Sequence, residues 1–105
     1  MELKELKDPY IDRLFDAILM IKNKDECYRF FEDICTIGEV KALAQRLQVA
    51  EMLKAGYTYG EIAEKTGAST ATISRVKRYL QYGADGYKII LERLEEMDKN
   101  KKNNE

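Results

Sequence analysis

The chain contains no histidine and only two cysteines, Cys27 and Cys35, among its 105 residues. Two thiols without a C-x-x-C pair or a histidine cannot complete a tetrahedral zinc site, so no metal is expected. No nucleophile–base pair and no glycine-rich phosphate loop is present either. Glu61, Glu64, Glu92, Glu95 and Glu96 are spaced as solvated helix charges. Together these absences argue against an enzyme and against a resident cofactor. No apolar run approaches the roughly 18 residues that a membrane helix needs, and no signal peptide opens the chain. The expectation is a soluble, cytoplasmic protein whose two cysteines are buried free thiols. No internal repeat and no convincing strand occurs, and the net charge is −1, which gives no global attraction to nucleic acid.

A chain of this length makes one domain and buries roughly two thirds of its unfolded surface. The single proline, Pro9, follows Asp8 in the arrangement of a helix start: aspartate as cap, proline where a missing N–H costs nothing. Ile11, Leu14, Phe15, Ile18 and Leu19 continue at helical spacing, and Met20 and Ile21 widen the apolar stripe beyond one face. A helix apolar over that much of its circumference has two partners, one of which can come from another subunit. Asn23-Lys24-Asp25 marks a break and a new cap. Cys27, Tyr28, Phe30, Phe31, Ile34 and Cys35 then form an aromatic-rich helix suited to core or dimer packing.

Thr36-Ile37-Gly38-Glu39 reads as a capping box. The helix it opens, the expected central beam, runs through Val40, Leu43, Ala44, Leu47, Ala50, Met52 and Leu53 to Gly56, with Gln45, Arg46 and Gln48 on a polar flank. Beyond Tyr82-Gly83-Ala84-Asp85-Gly86, a turn, comes a last amphipathic helix with Tyr87, Ile90, Leu91, Leu94 and Met97. Residues 98–105 have no apolar side chain and are expected to be a disordered charged tail, leaving one helical domain over 1–97.

The stretch from Tyr59 to Arg78 carries the functional signal. Thr58 and Glu61 form a second capping box, Ile62 and Ala63 are the inward pair of the helix it starts, and Gly67 follows its last turn. Ser69 or Thr70 can cap a second helix, in which Ile73, Val76 and Leu80 share one side. Between Thr66 and Gln81 there are three basic residues and no acidic one. This pattern predicts a helix-turn-helix at 59–78 whose second helix docks in the major groove of double-stranded DNA. Lys65, Thr72, Lys77 and Arg78 are candidates for phosphate contacts. Ser69, Thr70, Ala71 and Ser74 offer short donors and a methyl to base edges, and Arg75 lies on the same outer surface. The competing reading is a helical hairpin that serves as a protein-interaction module and leaves DNA alone.

The runs C-T-I-G-E-V-K-A-L-A-Q-R-L-Q-V-A-E-M-L-K-A-G and I-A-E-K-T-G-A-S-T-A-T-I-S-R resemble the tryptophan repressor family, and more closely its Trp-repressor-like YerC/YecD branch in Firmicutes. The resemblance covers about Asp25 to Leu94. It implies an all-α fold of about six helices, an intertwined homodimer, and DNA binding through the second helix of the helix-turn-helix. It also places Arg46 and Arg75 where two arginines flank a bound indole, and Tyr79 where a serine helps hold the ligand's amino group. This chain departs from that pattern. Val76 replaces a glycine after the second arginine, Tyr79 is far larger than serine, Gly60 replaces an arginine that contacts DNA, and one residue fewer follows Gly56. Val76 and Tyr79 would fill ligand space, which argues against tryptophan as corepressor and leaves another small molecule or none. Arg46 has an alternative as an ion-pair partner of Glu39 or Glu61, and Arg75 as a phosphate clamp.

Overall fold

A computed structural model describes residues 3–103, all helix, turn or irregular chain with no strand among them. A short 3-10 turn at Leu3–Leu6 precedes six α-helices: α1 Pro9–Leu19, α2 Lys24–Ile34, α3 Ile37–Lys54, α4 Tyr59–Thr66, α5 Thr70–Tyr82 and α6 Gly86–Asn103. The described residues gather into two compact units that divide between Val40 and Lys41.

Capping chemistry fixes the helix starts. Asp8 accepts from the N–H groups of Tyr10 at 2.8 Å and Ile11 at 3.3 Å, with Pro9 at the first helical position. Asn23 caps α2 by accepting from Glu26 N–H at 2.9 Å. Both capping boxes form. Thr36 N–H donates to Glu39 at 2.8 Å while Glu39 N–H donates to Thr36 at 3.1 Å. Thr58 and Glu61 exchange the equivalent bonds at 2.9 and 3.2 Å. Each reciprocal pair satisfies two backbone donors that a helix start otherwise leaves open.

In the first unit, no residue of α1 or α2 is buried. Tyr10, Leu14, Phe15, Leu19, Met20, Tyr28 and Ile34 are exposed, and Phe30 and Phe31 meet edge to face with centroids 5.7 Å apart. Cys27 and Cys35 are free thiols, but only partly covered, which corrects the expectation that they are buried. Within this unit the apolar faces of α1 and α2 bury none of their residues, and the two thiols share that partial cover.

Among the described residues the buried core lies in the second unit: Val49 and Ala50 from α3, Ile62 from α4, Ala68 from the following turn, Ile73 and Val76 from α5, and Leu91 from α6. Leu47, Leu53, Ala63, Leu80 and Leu94 pack around it. The pairing of Ile62 with Ala63, and the Ile73–Val76–Leu80 face, are as the spacing predicts. In α3, by contrast, Val40, Leu43 and Ala44 remain exposed.

α6 runs on to Asn103, so residues 98–103 are helical and exposed; residues 104 and 105 of the expected disordered tail lie outside the described residues. Nothing after Gly86 breaks the helix, and Lys101 and Lys102 in its last turn complement the partial negative charge of its C-terminus.

Candidate nucleic-acid interface

The segment singled out by sequence is a helix-turn-helix: α4, the turn Gly67-Ala68-Ser69, and α5. The turn is built from identifiable bonds. Gly67 adopts the left-handed conformation at φ 74°, which costs glycine little and a β-carbon more, and its N–H donates to Ala63 O at 2.9 Å. The Thr66 hydroxyl donates to Ile62 O at 2.7 Å and accepts from Ala68 N–H at 3.1 Å, drawing the small Ala68 side chain into the core.

Gln45 of α3 donates its amide N–H to Thr66 O at 3.1 Å. A carbonyl in the last turn of a helix has no intrahelical donor, so this bond satisfies an orphan acceptor and ties the turn to α3. Sequence reasoning placed Gln45 merely on a polar flank, and its 21-residue separation from Thr66 leaves no local signal.

Ser69, not Thr70, is the cap of α5. Its Oγ accepts from Thr72 N–H at 3.1 Å and donates to Thr72 Oγ1 at 3.1 Å. With Ile73 N–H bonded to Ser69 O, the N–H groups of Thr70 and Ala71 are left as open donors at the positive end of the helix. Because Ser69 is occupied by the cap, Thr70, Ala71 and Ser74 are the exposed short side chains at this end with no side-chain partner among the described residues.

Lys65, Arg75, Lys77 and Arg78 are all exposed, while Ile73 and Val76 between them are buried. Among the described residues the ion pairs join Arg29 to Asp25, Lys54 to Glu95 and Lys88 to Asp85, so none of these four cations is neutralised by an acid. Lys77 is distinct. Its ammonium sits 5.6 Å from the centroid of the Tyr59 ring, an arrangement the sequence did not announce.

Of the three candidate effector residues, Arg46 on α3 is half-buried, and Arg75 and Tyr79 are exposed one turn apart on α5. Glu39 and Glu61, the suggested ion-pair partners of Arg46, are engaged in capping boxes instead. The backbone N–H and then the hydroxyl of Thr36 hold Glu39 below the usual glutamate pKa, and Thr58 does the same to Glu61. The described residues contain no cluster of three or more metal-ligating side chains, and no helix is long and apolar enough to cross a membrane.

The family described as Trp repressor protein matches residues 10–95. The Bacillus subtilis uncharacterized protein YerC is 54% identical over 98 residues, covering 93% of this chain and 94% of that protein. The crystal structure of a Staphylococcus aureus protein provisionally called a Trp repressor superposes with a TM-score of 0.85 at 56% identity, covering 90% of this chain and 95% of that one. That of a TrpR-like protein from Eubacterium eligens gives 0.83 at 58% identity, covering 87% and 94%.

Proposed function

Because this chain belongs to the Trp repressor protein family, we propose that it is a sequence-specific DNA-binding regulator of transcription, acting as a cytoplasmic homodimer and most simply as a repressor. The observation that carries this reading is the outer face of α5. It joins an open helix N-terminus, the short side chains of Thr70, Ala71 and Ser74, and the guanidinium groups of Arg75 and Arg78, which meet no acid among the described residues, with no acid anywhere in the helix. Such a face complements a major groove: the side chains meet base edges while the cations and helix N-terminus meet phosphates. Thr72, its hydroxyl oxygen already accepting from Ser69, is left to donate to a phosphate, and Lys65 adds charge from α4.

The homodimer is supported by the first unit. Six large apolar or aromatic side chains of α1 and α2, with Met20 just after α1, stand exposed, a surface that a second copy would cover. Two copies of α5 about one DNA turn apart, roughly 34 Å, would read a near-palindromic operator. Arg46, Arg75 and Tyr79 stay the candidate effector residues. Tryptophan is not proposed as the effector, since the bulky Tyr79 stands exposed on α5 where the family resemblance places a small residue; Val76 is packed into the core.

Selection of bound sequences from a random duplex pool at about 0.1 M salt, with and without tryptophan, tests the reading. A near-palindromic motif recovered without tryptophan is expected. A motif that appears only with tryptophan would overturn the view of the effector. No enrichment under either condition would overturn DNA binding and favour a protein-interaction module.

A further inference from the structure

A cleft of about 470 Å³ opens where the joint between α3 and α4, the C-terminal half of α5 and the first turns of α6 come together. That volume is within the range of small-molecule sites. Leu53, Leu80 and the buried Leu91 give it an apolar lining, to which Tyr57 and Tyr59 add their rings. Lys54, Lys77 and Lys88 stand around it, with Glu92 as its one acid and no arginine. On α5 it uses Lys77, Leu80 and Gln81, whereas the face proposed for base reading lies nearer the N-terminus, at Thr70, Ala71 and Ser74.

The charges are available. Lys54 is paired with Glu95 at 3.2 Å and Lys88 with Asp85 at 3.5 Å, but both pairs are solvent-exposed and therefore weak. Lys77 has no acid partner among the described residues and rests only over the Tyr59 ring. Lysine ammonium groups are compact point charges suited to phosphate, whereas planar, bidentate capture of a carboxylate favours arginine, which the cleft lacks. An apolar lining with two rings asks for a flat, apolar body beside that phosphate. Glu92 accepts from an amino or hydroxyl donor and disfavours a ligand that is anionic throughout.

We propose that this cleft binds a small organic phosphate carrying a planar aromatic body, of the mononucleotide class. The bound molecule would bridge the α3–α4 joint, α5 and α6, the elements that set the attitude of the helix-turn-helix. Binding itself does not depend on the DNA reading; only an effect of the ligand on operator affinity does.

The test is a ¹H–¹⁵N NMR titration of the full chain with AMP, adenosine and inorganic phosphate in parallel. Saturable shifts are expected for AMP at residues 53–59, 77–81 and 88–92, with affinity about tenfold or more above that of adenosine or phosphate alone. Lys77→Gln is expected to weaken AMP about tenfold while leaving the remaining spectrum in place, and Tyr59→Leu to weaken AMP and adenosine alike. Shifts centred on residues 69–75 would mean that the phosphate is drawn to the DNA-facing end of α5 and would overturn the proposal. So would equal binding of inorganic phosphate, an unchanged affinity in Lys77→Gln, or no saturation by about 10 mM AMP. A duplex titration on the same sample reports separately on DNA binding.

Discussion

Neutralising Arg78 tests whether α5 meets phosphates at all. Lys65, Arg75 and Arg78 are exposed and without an acidic partner among the described residues, whereas Lys77 is turned over Tyr59. A dimer would therefore bring about six free cations to the duplex, and counterion release then gives a slope of log K against log salt of about −5. Raising salt from about 50 to 200 mM should weaken the complex on the order of a thousandfold. Arg78→Gln removes two of those contacts per dimer, lowers the slope to about −4 and reduces the same salt effect to on the order of a hundredfold. Arg93→Gln, which removes an exposed charge on α6 away from the helix-turn-helix segment, should leave the slope unchanged. Fluorescence anisotropy on a duplex recovered by selection measures all three. A wild-type slope near zero, or a slope that Arg78→Gln and Arg93→Gln lower equally, refutes the placement of α5 against the DNA backbone.

Gln45→Leu leaves Thr66 O without its side-chain donor and should destabilise the protein by about 1–3 kcal/mol in urea unfolding, with operator affinity falling further than stability alone explains. Glu61 is held ionised by Thr58, so its folded pKa is below its unfolded value near 4.5. Its contribution is therefore complete above that value and lost as pH falls through the depressed one. Amide exchange at the start of α4 should accelerate on that descent in the wild type and show no such step in Glu61→Gln. Leu19→Glu places a charge on the most exposed apolar side chain of α1 after Tyr10 and should weaken the dimer at least about a hundredfold in sedimentation analysis. An unchanged dimer would show that α1 is not its interface.

Much of the helix-turn-helix was legible because its signals are local. A capping box spans four residues, a turn glycine announces itself by position, and Ile73, Val76 and Leu80 repeat at helical spacing. Features that depend on distant or non-periodic contacts were not legible. Ala68 is buried although it lies in a turn, where no period applies, because Thr66 and Gly67 bend the chain inward around it. Val49 is fully buried, yet the apolar positions of α3 are so evenly spread that the sequence does not say which face turns inward. The Gln45–Thr66 tether and the Lys77–Tyr59 contact join helices whose mutual approach only the fold decides. At residues 98–103 composition misled, because lack of apolar side chains removes packing but does not by itself end a helix already begun.

The contrast between the two units explains why a single periodicity argument succeeds in one and stops short in the other. Hydrophobic spacing states that a face must be covered, not by which chain. Between Val49 and Leu91 the buried positions pack against one another, so Ile62, Ile73, Val76 and Leu91 became core as their spacing suggested, although Ile90 on α6 stays exposed. At the end of α1 the same kind of stripe leaves Leu19, and Met20 just after it, more than two-thirds exposed. Burying one such side chain stabilises by about 1.5–3 kcal/mol, and several exposed in one unit represent a drive toward association comparable with the whole stability of a small domain. In the proposed homodimer a second copy of the chain would supply a matching surface by symmetry, since an isologous interface needs only a patch complementary to itself. The economy of that arrangement bears on function. A two-fold assembly of the proposed kind would present two copies of α5, one for each half-site of a near-palindromic operator, so disrupting the stripe should cost operator affinity as well as association.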